Sequence, residues 1–149
     1  MTSSRISAMK RRLIDGHLSL LLATPAGEVH TFTSRGVADL YRLHTTAPAL
    51  LCGAVIVDKV VGTGAAALMA LGGVERVHAL VISEKALRLL FCSGVDVTYD
   101  RLVPAIVNRA GTGQCPLEAR LRPYTRPAAM LPVIRDFVAP LPSAELPPR

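Results

Sequence analysis

The stretch that decides the fold is residues 54–85, AVIVDKVVGTGAAALMALGGVERVHALVISEK. AVIV (54–57) and VHALVI (77–82) are unbroken apolar runs rich in β-branched residues, which is typical of strands covered on both faces. The segment between them, residues 60–73, is apolar and too long for a strand, so it predicts a buried helix. Together the three segments predict a right-handed βαβ crossover between parallel strands.

The flanking sequence predicts a mixed sheet around this unit. LSLLLA (18–23) and VHTFTS (29–34), joined by a Pro/Gly turn, predict an antiparallel hairpin, and VDVTY (95–99) predicts a further strand. Helical spacing predicts helices over 4–15, 37–44, 85–90 and 128–138, a short helix or turn over 102–108, and a helix start at 115–118. The order indicates an α/β fold, a three-layer α/β/α sandwich with a mixed sheet of about five strands. We interpret residues 1–149 as one domain, with a core over about 17–120 and a basic, Pro-rich extension over 121–149.

The charge distribution, hydropathy and cysteine content of the chain disfavour some classes of binding partner. The net charge is +6 and the mean hydropathy is +0.38. The basic excess lies in the two ends, residues 1–12 and 119–149, so the core is not a basic surface and nucleic-acid binding is disfavoured. The most apolar window, residues 60–74, is shorter than the roughly 20 residues that a bilayer requires. Three widely spaced cysteines favour a reducing, cytoplasmic setting over a disulfide framework. The sequence does not decide whether the protein forms a homo-oligomer.

Polar residues follow both strands of the central unit. Asp58 and Lys59 come after AVIV, and Ser83 and Glu84 come after VHALVI. Ligands of open α/β sheets bind at the carboxyl ends of strands, so a site for a small-molecule ligand is predicted here. Asp58 is a candidate general base or ligand anchor, Lys59 an anion contact and Ser83 a hydrogen-bond donor. The alternative is that Asp58 and Ser83 only cap the helices that follow them.

Two further motifs each have a functional and a structural interpretation. Gly62-Thr63-Gly64 followed by alanines matches a relaxed dinucleotide-binding pattern, with Glu84 about 20 residues on. Close packing of a small-residue helix face on the sheet is the favoured explanation, since Asp58 and Lys59 separate the glycines from the strand. Cys115 precedes a proline at a predicted helix start, where a thiolate is stabilised, so it is a candidate nucleophile; a buried structural cysteine is the alternative. Cys52 and Cys92 are predicted to lie in the core.

The sequence offers no recognisable metal site. It contains no CxxC, HxE or HExxH motif, and its four histidines are scattered. His78 lies within a strand pattern and is predicted to be a packed residue. We therefore predict no metal and no cofactor.

The combined motifs IVDKVVGTGAAAL, VISEKAL and VPAIVNRAGTGQCPLE resemble a prokaryotic domain-of-unknown-function family in the cytidine-deaminase-like superfamily. The resemblance covers roughly residues 17–120 and implies an α/β/α sandwich. In true cytidine deaminases, zinc ligands and a catalytic Glu open the corresponding helices. Here those openings are Asp58-Lys59 and Ser83-Glu84, so the resemblance implies a cleft without zinc. The matching residues, which it places in or around that cleft, are Asp58, Lys59, Gly62, Ser83, Glu84, Asn108, Arg109, Gly113, Cys115, Pro116 and Glu118.

The sequence supports three hypotheses about function. The first is a zinc-independent protein that binds or acts on a small nucleotide-like or polar ligand, with Asp58, Lys59, Ser83 and Cys115 as catalytic candidates. Gly62, Glu84, Asn108, Arg109, Gly113 and Glu118 would then line the ligand. The second hypothesis is a sensor module that uses the same cleft without turnover. The third, less favoured, is a dinucleotide-binding domain.

Overall fold

The protein folds around one open sheet flanked by helices. The computed structural model describes residues 3–34, 37–107 and 115–139. Its strands are β1 (Leu20–Ala23), β2 (Val29–Phe32), β3 (Val55–Val61), β4 (Arg76–Ser83) and β5 (Asp96–Val103). Its helices are α1 (Ser3–Asp15), α2 (Ala38–Thr46), α3 (Thr63–Gly72), α4 (Glu84–Cys92), α5 (Pro116–Leu121) and α6 (Pro127–Val138), with a 3-10 turn over Pro48–Leu50.

The sheet is mixed and its strand order is β2-β1-β3-β4-β5. β1 pairs antiparallel with both β2 and β3, whereas β3, β4 and β5 are parallel neighbours. The predicted hairpin and the predicted parallel pair of the βαβ unit are therefore confirmed. The α/β class and the mixed sheet of five strands are confirmed with them.

Helices cover the two faces of the sheet unequally. α2 to α6 pack on one face, around a core that includes Leu22, Ile56, Leu68 and Leu90. On the other face, α1 packs against the β1 and β3 side of the sheet, through residues such as Leu13. Because the chain steps from β3 to β4 to β5 in one direction, right-handed crossovers place α3 and α4 on the same side.

Both ends of the chain contribute to the hydrophobic core. Leu13 of α1 and Met130 and Ile134 of α6 are fully buried. These three residues lie outside the range 17–120: α1 packs on β1 and β3 of the sheet, and α6 packs mainly on α3. The predicted final helix over 128–138 is confirmed as α6.

Two strands are longer than the sequence patterns predict. β3 continues through Asp58 and Lys59 to Val61, and β5 continues past Tyr99 to Val103. The apolar run in β3 breaks at Asp58, but backbone pairing with β4 continues through Val61 and Ile82. The prediction of a short helix or turn over 102–108 is wrong for its first two residues. Hydrogen bonding to a neighbouring strand, which the local sequence does not encode, sets both strand ends.

A polar network beneath α1 ties that helix to β4 and β5. His78 is buried, with Nδ1 2.7 Å from Thr98 Oγ1 and Nε2 3.1 Å from Asp100 Oδ1. Asp100 also forms an ion pair with Lys10 of α1. Although burial opposes it, hydrogen bonding and charge from Lys10 and His78 lower the pKa of Asp100. The prediction that His78 is a packed residue is confirmed.

Among the described residues, none of the helices combines the length and the apolar character needed to span a membrane.

Candidate functional site

Two separate cavities lie at the sheet edge where β3 and β4 end. The first, which we call the Asp58 cavity, has a volume of about 360 Å³. The second, the Ser83 cavity, has a volume of about 100 Å³. The Asp58 cavity is lined by His17, Leu18, Ser19, Leu20, Thr33, Ser34, Asp39, Asp58, Lys59 and Val60. The Ser83 cavity is lined by Thr63, Ser83, Lys85, Pro104, Ala105, Glu118 and Arg122.

Asp58 is a buried carboxyl group on an interior strand. It is 7% exposed and lies between Leu20 of β1 and Ala79 of β4 in the sheet register. Burial raises the pKa of Asp58 to about 7, although backbone N–H groups of Val60 and Lys59 act in the opposite direction. The Val60 N–H donates to Asp58 Oδ1 at 3.3 Å. A carboxyl group with this pKa exchanges a proton near neutral pH, which is what an acid–base group requires.

Asp39 brings a second carboxyl group to the same cavity. It lies in the first turn of α2 and is 4% exposed. Its Oδ1 accepts from Arg42, one turn further along the helix, in an ion pair. Its Oδ2 is buried and has no hydrogen-bond partner among residues 3–34, 37–107 and 115–139. A buried carboxylate oxygen without a partner is costly, so a donor from outside the described residues would be strongly favoured there.

The rim of the Asp58 cavity is polar and comes from different parts of the chain. Lys59 is exposed, and its backbone N–H donates to Ser19 O at 3.0 Å, which holds β3 against the start of β1. His17 follows α1 with a positive φ of 54°, a conformation in which His is enriched among non-glycine residues. Thr33 and Ser34 add hydroxyl groups just beyond β2. The cavity therefore offers buried acceptors within and a cationic side chain at the edge.

In the Ser83 cavity, Ser83 itself has a structural role. It is 1% exposed and is the N-cap of α4, where Oγ accepts from the Ala86 N–H at 3.2 Å. The alternative that Ser83 caps the following helix is thus confirmed. Lys85 donates through Nζ to the carbonyl oxygens of Leu121 and Arg122, both at 3.0 Å. Burial lowers the pKa of Lys85, while the charge of Glu118 raises it.

Glu118 of α5 fills the position in front of the α3 N-terminus. Its Oε1 accepts from the Thr63 N–H at 2.9 Å and its Oε2 from the Gly64 N–H at 3.3 Å. A carboxylate is well suited to this place, because the first N–H groups of a helix lack partners and carry partial positive charge. The α3 N-terminus is therefore occupied by a side chain of the same protein.

This contact explains the two glycines of the relaxed dinucleotide pattern. A Cβ at Gly62 would lie 2.7 Å from Glu118 Oε2, and one at Gly64 would lie 2.7 Å from Leu117 Cδ2. Gly62 does follow β3 directly, contrary to the prediction that Asp58 and Lys59 separate the glycines from the strand. The group on the helix amides is nevertheless Glu118, and β3 is the third strand of the chain. Close packing, here of α5 against α3, accounts for the glycines.

Asp58 and Ser83 line different cavities, so the prediction that they flank one crevice is wrong. Asp58 pairs with Ala79, which places it four residues before Ser83 in the shared register, about 13 Å along the strands at roughly 3.3 Å per residue. The extension of β3 to Val61 causes this separation. Asp58 is also no helix cap, because Gly62 is the N-cap of α3.

Of the other predicted site residues, the structure describes Cys115 and Glu84. Cys115 is the N-cap of α5 and is partly exposed, with its N–H donating to Ile106 O at 3.1 Å. Glu84 is exposed in the first turn of α4. Asn108, Arg109 and Gly113 lie outside the described residues. The prediction that Cys52 and Cys92 are core residues is wrong: both are exposed, since one lies in a turn and the other ends α4.

Within 3–34, 37–107 and 115–139, no group of three or more His, Cys, Asp or Glu side chains is placed to hold a metal ion.

Sequence reasoning missed Asp39, and one signal could have found it. Asp39 and Leu43 are four residues apart in α2, so both lie on the face of the helix that packs inward. An acidic residue on an apolar helix face is rarely buried without a specific partner. Lys85 was also missed, because its carbonyl partners come from a segment 36 and 37 residues away.

The fold and these cavities define an α/β protein with an open mixed sheet and polar sites at one sheet edge. The chain belongs to the family described as a domain of unknown function (DUF1893), whose profile matches residues 8–138. It is similar to the crystal structure of a DUF1893 family protein from Thermotoga maritima, with a TM-score of 0.82 and 23% sequence identity over 91% of each chain. At that identity the likeness concerns the fold. The comparison with curated proteins found no match.

Proposed function

We propose that this protein binds a small polar molecule in the Asp58 cavity and that Asp58 exchanges a proton with it, without zinc. The observation that carries the proposal is the pair of buried carboxyl groups, Asp58 and Asp39, on one cavity of about 360 Å³. Oδ2 of Asp39 has no donor in the part of the chain that the structure describes, and a ligand with N–H or O–H groups would supply one. We also propose that the protein belongs to the cytidine-deaminase-like superfamily.

The chemistry of the cavity favours a ligand such as a nucleobase, a nucleoside or an amidine. Such molecules carry adjacent N–H donors and ring acceptors. Asp58, with a pKa of about 7, can present either a carboxylate acceptor or a carboxylic acid donor to them. Lys59 at the rim would attract a negatively charged part of the ligand. The volume lies within the ordinary range of small-molecule sites, about 300–1,000 Å³.

A sensor module that binds the same ligand without turnover is the alternative. Ser83 at the end of β4 and Cys115 at the start of α5 belong to the proposal only if the ligand extends beyond the Asp58 cavity. Alkylation shows whether the ligand extends that far, because a ligand that reaches Cys115 would slow the reaction of this thiol with iodoacetamide. Incubation with the bound compound followed by mass spectrometry then distinguishes turnover from binding.

The proposal is tested by identifying and titrating the ligand. Mass spectrometry after gentle denaturation identifies any compound that co-purifies, and NMR titration with cytosine, adenine, guanidine and cytidine surveys the class. We expect binding to be lost in Asp58→Asn and in Asp39→Asn and retained in Asp136→Asn, which changes an exposed carboxylate on α6. Equal binding by all three variants, in folded protein, would rule out the Asp58 cavity as the site.

A further inference from the structure

A third cavity lies between α4 and the start of α6. It has a volume of about 460 Å³, and we call it the α4–α6 groove. It is lined by Lys85, Arg88, Leu89, Cys92, Ser93, Thr125, Arg126 and Pro127. The groove shares only Lys85 with the Ser83 cavity and no residue with the Asp58 cavity.

Three of the eight residues that line the α4–α6 groove are cationic. They are Lys85, Arg88 and Arg126, and the lining contains no acidic residue. In the described part of the chain, Arg88 and Arg126 form no ion pair with a carboxylate. Lys85 is held in place by its two bonds to carbonyl oxygens, and the third N–H of its ammonium group remains for another acceptor.

The start of α6 adds to this positive potential. Arg126 is the N-cap of α6, yet no side chain caps the helix, and its first turn contains no acidic residue. The partial positive charge of this helix end is therefore not compensated as it is in α3, where Glu118 lies on the amides. Three cationic side chains and an uncompensated helix end face the same space.

The walls of the groove are apolar and not aromatic. Leu89 is 7% exposed, Pro127 is partly buried, and the Cys92 side chain lies on the surface at the end of α4. No Phe, Tyr or Trp is among the lining residues. An aliphatic body fits such walls, whereas a single-stranded nucleic acid would find no ring on which to stack its bases.

We propose that the α4–α6 groove binds a small amphiphilic organic anion, an aliphatic chain or ring that carries a carboxylate or phosphate group. The two guanidinium groups and Lys85 receive the anionic head, since Arg pairs with carboxylate and phosphate in a bidentate geometry. Leu89, Pro127 and Cys92 contact the aliphatic part. This site is independent of the function proposed for the Asp58 cavity.

Differential alkylation of the cysteines tests the proposal, because the chain carries its own control. Cys92 lines the groove, whereas Cys52 is exposed elsewhere. The probes are sodium octanoate and octyl phosphate, with octanol as the uncharged control, each below its aggregation concentration. We expect both anions to slow the reaction of Cys92 with iodoacetamide and to leave that of Cys52 unchanged. Octanol should protect neither thiol.

Substitutions then separate the charge from the fold. We expect the double variant Arg88→Gln/Arg126→Gln to bind octyl phosphate about tenfold more weakly or worse, in calorimetry of protein whose circular dichroism is unchanged. Arg12→Gln changes an exposed cation on α1, across the sheet, and should bind as the parent does. Protection of Cys92 by octanol, unchanged affinity in the double variant, or tighter binding of a short RNA than of octyl phosphate would each overturn the proposal.

Discussion

At the scale of single residues, the raised pKa of Asp58 makes the stability of the folded protein depend on pH. Its carboxyl group keeps a proton in the folded state up to a pKa of about 7, whereas the same group in the unfolded chain ionises near the ordinary value of 3.8. Between these two values the folded state binds more protons than the unfolded state. The contribution of Asp58 is therefore favourable below about pH 4 and is lost as the pH rises through about 7.

Asp58→Asn should consequently stabilise the folded protein at pH 8. Asn cannot ionise, and its side-chain oxygen can still accept from the Val60 N–H. The gain in unfolding free energy should reach up to about 4 kcal/mol at pH 8 and be small at pH 4, since one pKa unit corresponds to about 1.4 kcal/mol. Urea denaturation of both proteins at the two pH values measures it. A difference that does not change with pH would contradict the burial of an ionisable Asp58.

Glu118 is the residue on which the α3 N-terminus depends. Glu118→Ala leaves the N–H groups of Thr63 and Gly64 buried without their acceptor, and hydrogen bonds to charged groups contribute about 1.5–3 kcal/mol each. We expect the unfolding free energy to fall by about 2–4 kcal/mol, and by less in Glu118→Gln, which keeps one oxygen. Chemical denaturation measures both. Glu84→Ala, at an exposed position in α4, is the matched control, and an equal loss there would show that Glu118 has no special role.

At the scale of elements, the attachment of α1 is tested by Asp100. This residue joins Lys10 of α1 to His78 of β4, so Asp100→Asn weakens both contacts. Hydrogen exchange should become faster in α1 and remain unchanged in α3, which packs on the opposite face. Asp96→Asn, which breaks an ion pair with Arg76 on β4, should leave the exchange of α1 as it is. Equal acceleration in both variants would place the attachment of α1 in its apolar contacts alone.

Most of the helices and strands could be predicted from the sequence, because each has a periodic apolar pattern. The βαβ unit follows from the apolar runs 54–57 and 77–82, and the hairpin and α6 follow from their own apolar patterns. The end of β3 could not be predicted from the sequence, since Asp58 breaks the apolar pattern while the backbone continues to pair with β4. The candidate site was predicted as one cleft, whereas Asp58 and Ser83 line two separate cavities. Asp39 and Lys85 belong to cavities whose walls come from distant segments, and only tertiary packing brings those segments together.

At the scale of the whole molecule, the chain is predicted to hold no structural zinc. Its three cysteines and four histidines form no recognised ligand spacing. Elemental analysis of protein purified without chelators should find zinc well below one atom per chain. Thermal unfolding with and without EDTA should give the same midpoint, because a structural metal would make the folded state sensitive to the chelator. One zinc per chain, or a lower midpoint in EDTA, would contradict the prediction.

The bond between Glu118 and the α3 N-terminus also bears on the order in which the chain acquires its structure during synthesis. The five strands that the structure describes precede residue 104, so they can emerge from the ribosome before α5 has been made. Thr63 and Glu118 are 55 residues apart. The N–H of Thr63, at the start of α3, therefore gains its carboxylate partner only after α5 has been made. A nascent chain that stops before residue 118 leaves these amides to water and part of the α3 surface uncovered. We infer that the closing step of folding belongs to the last third of the chain, after the sheet has formed.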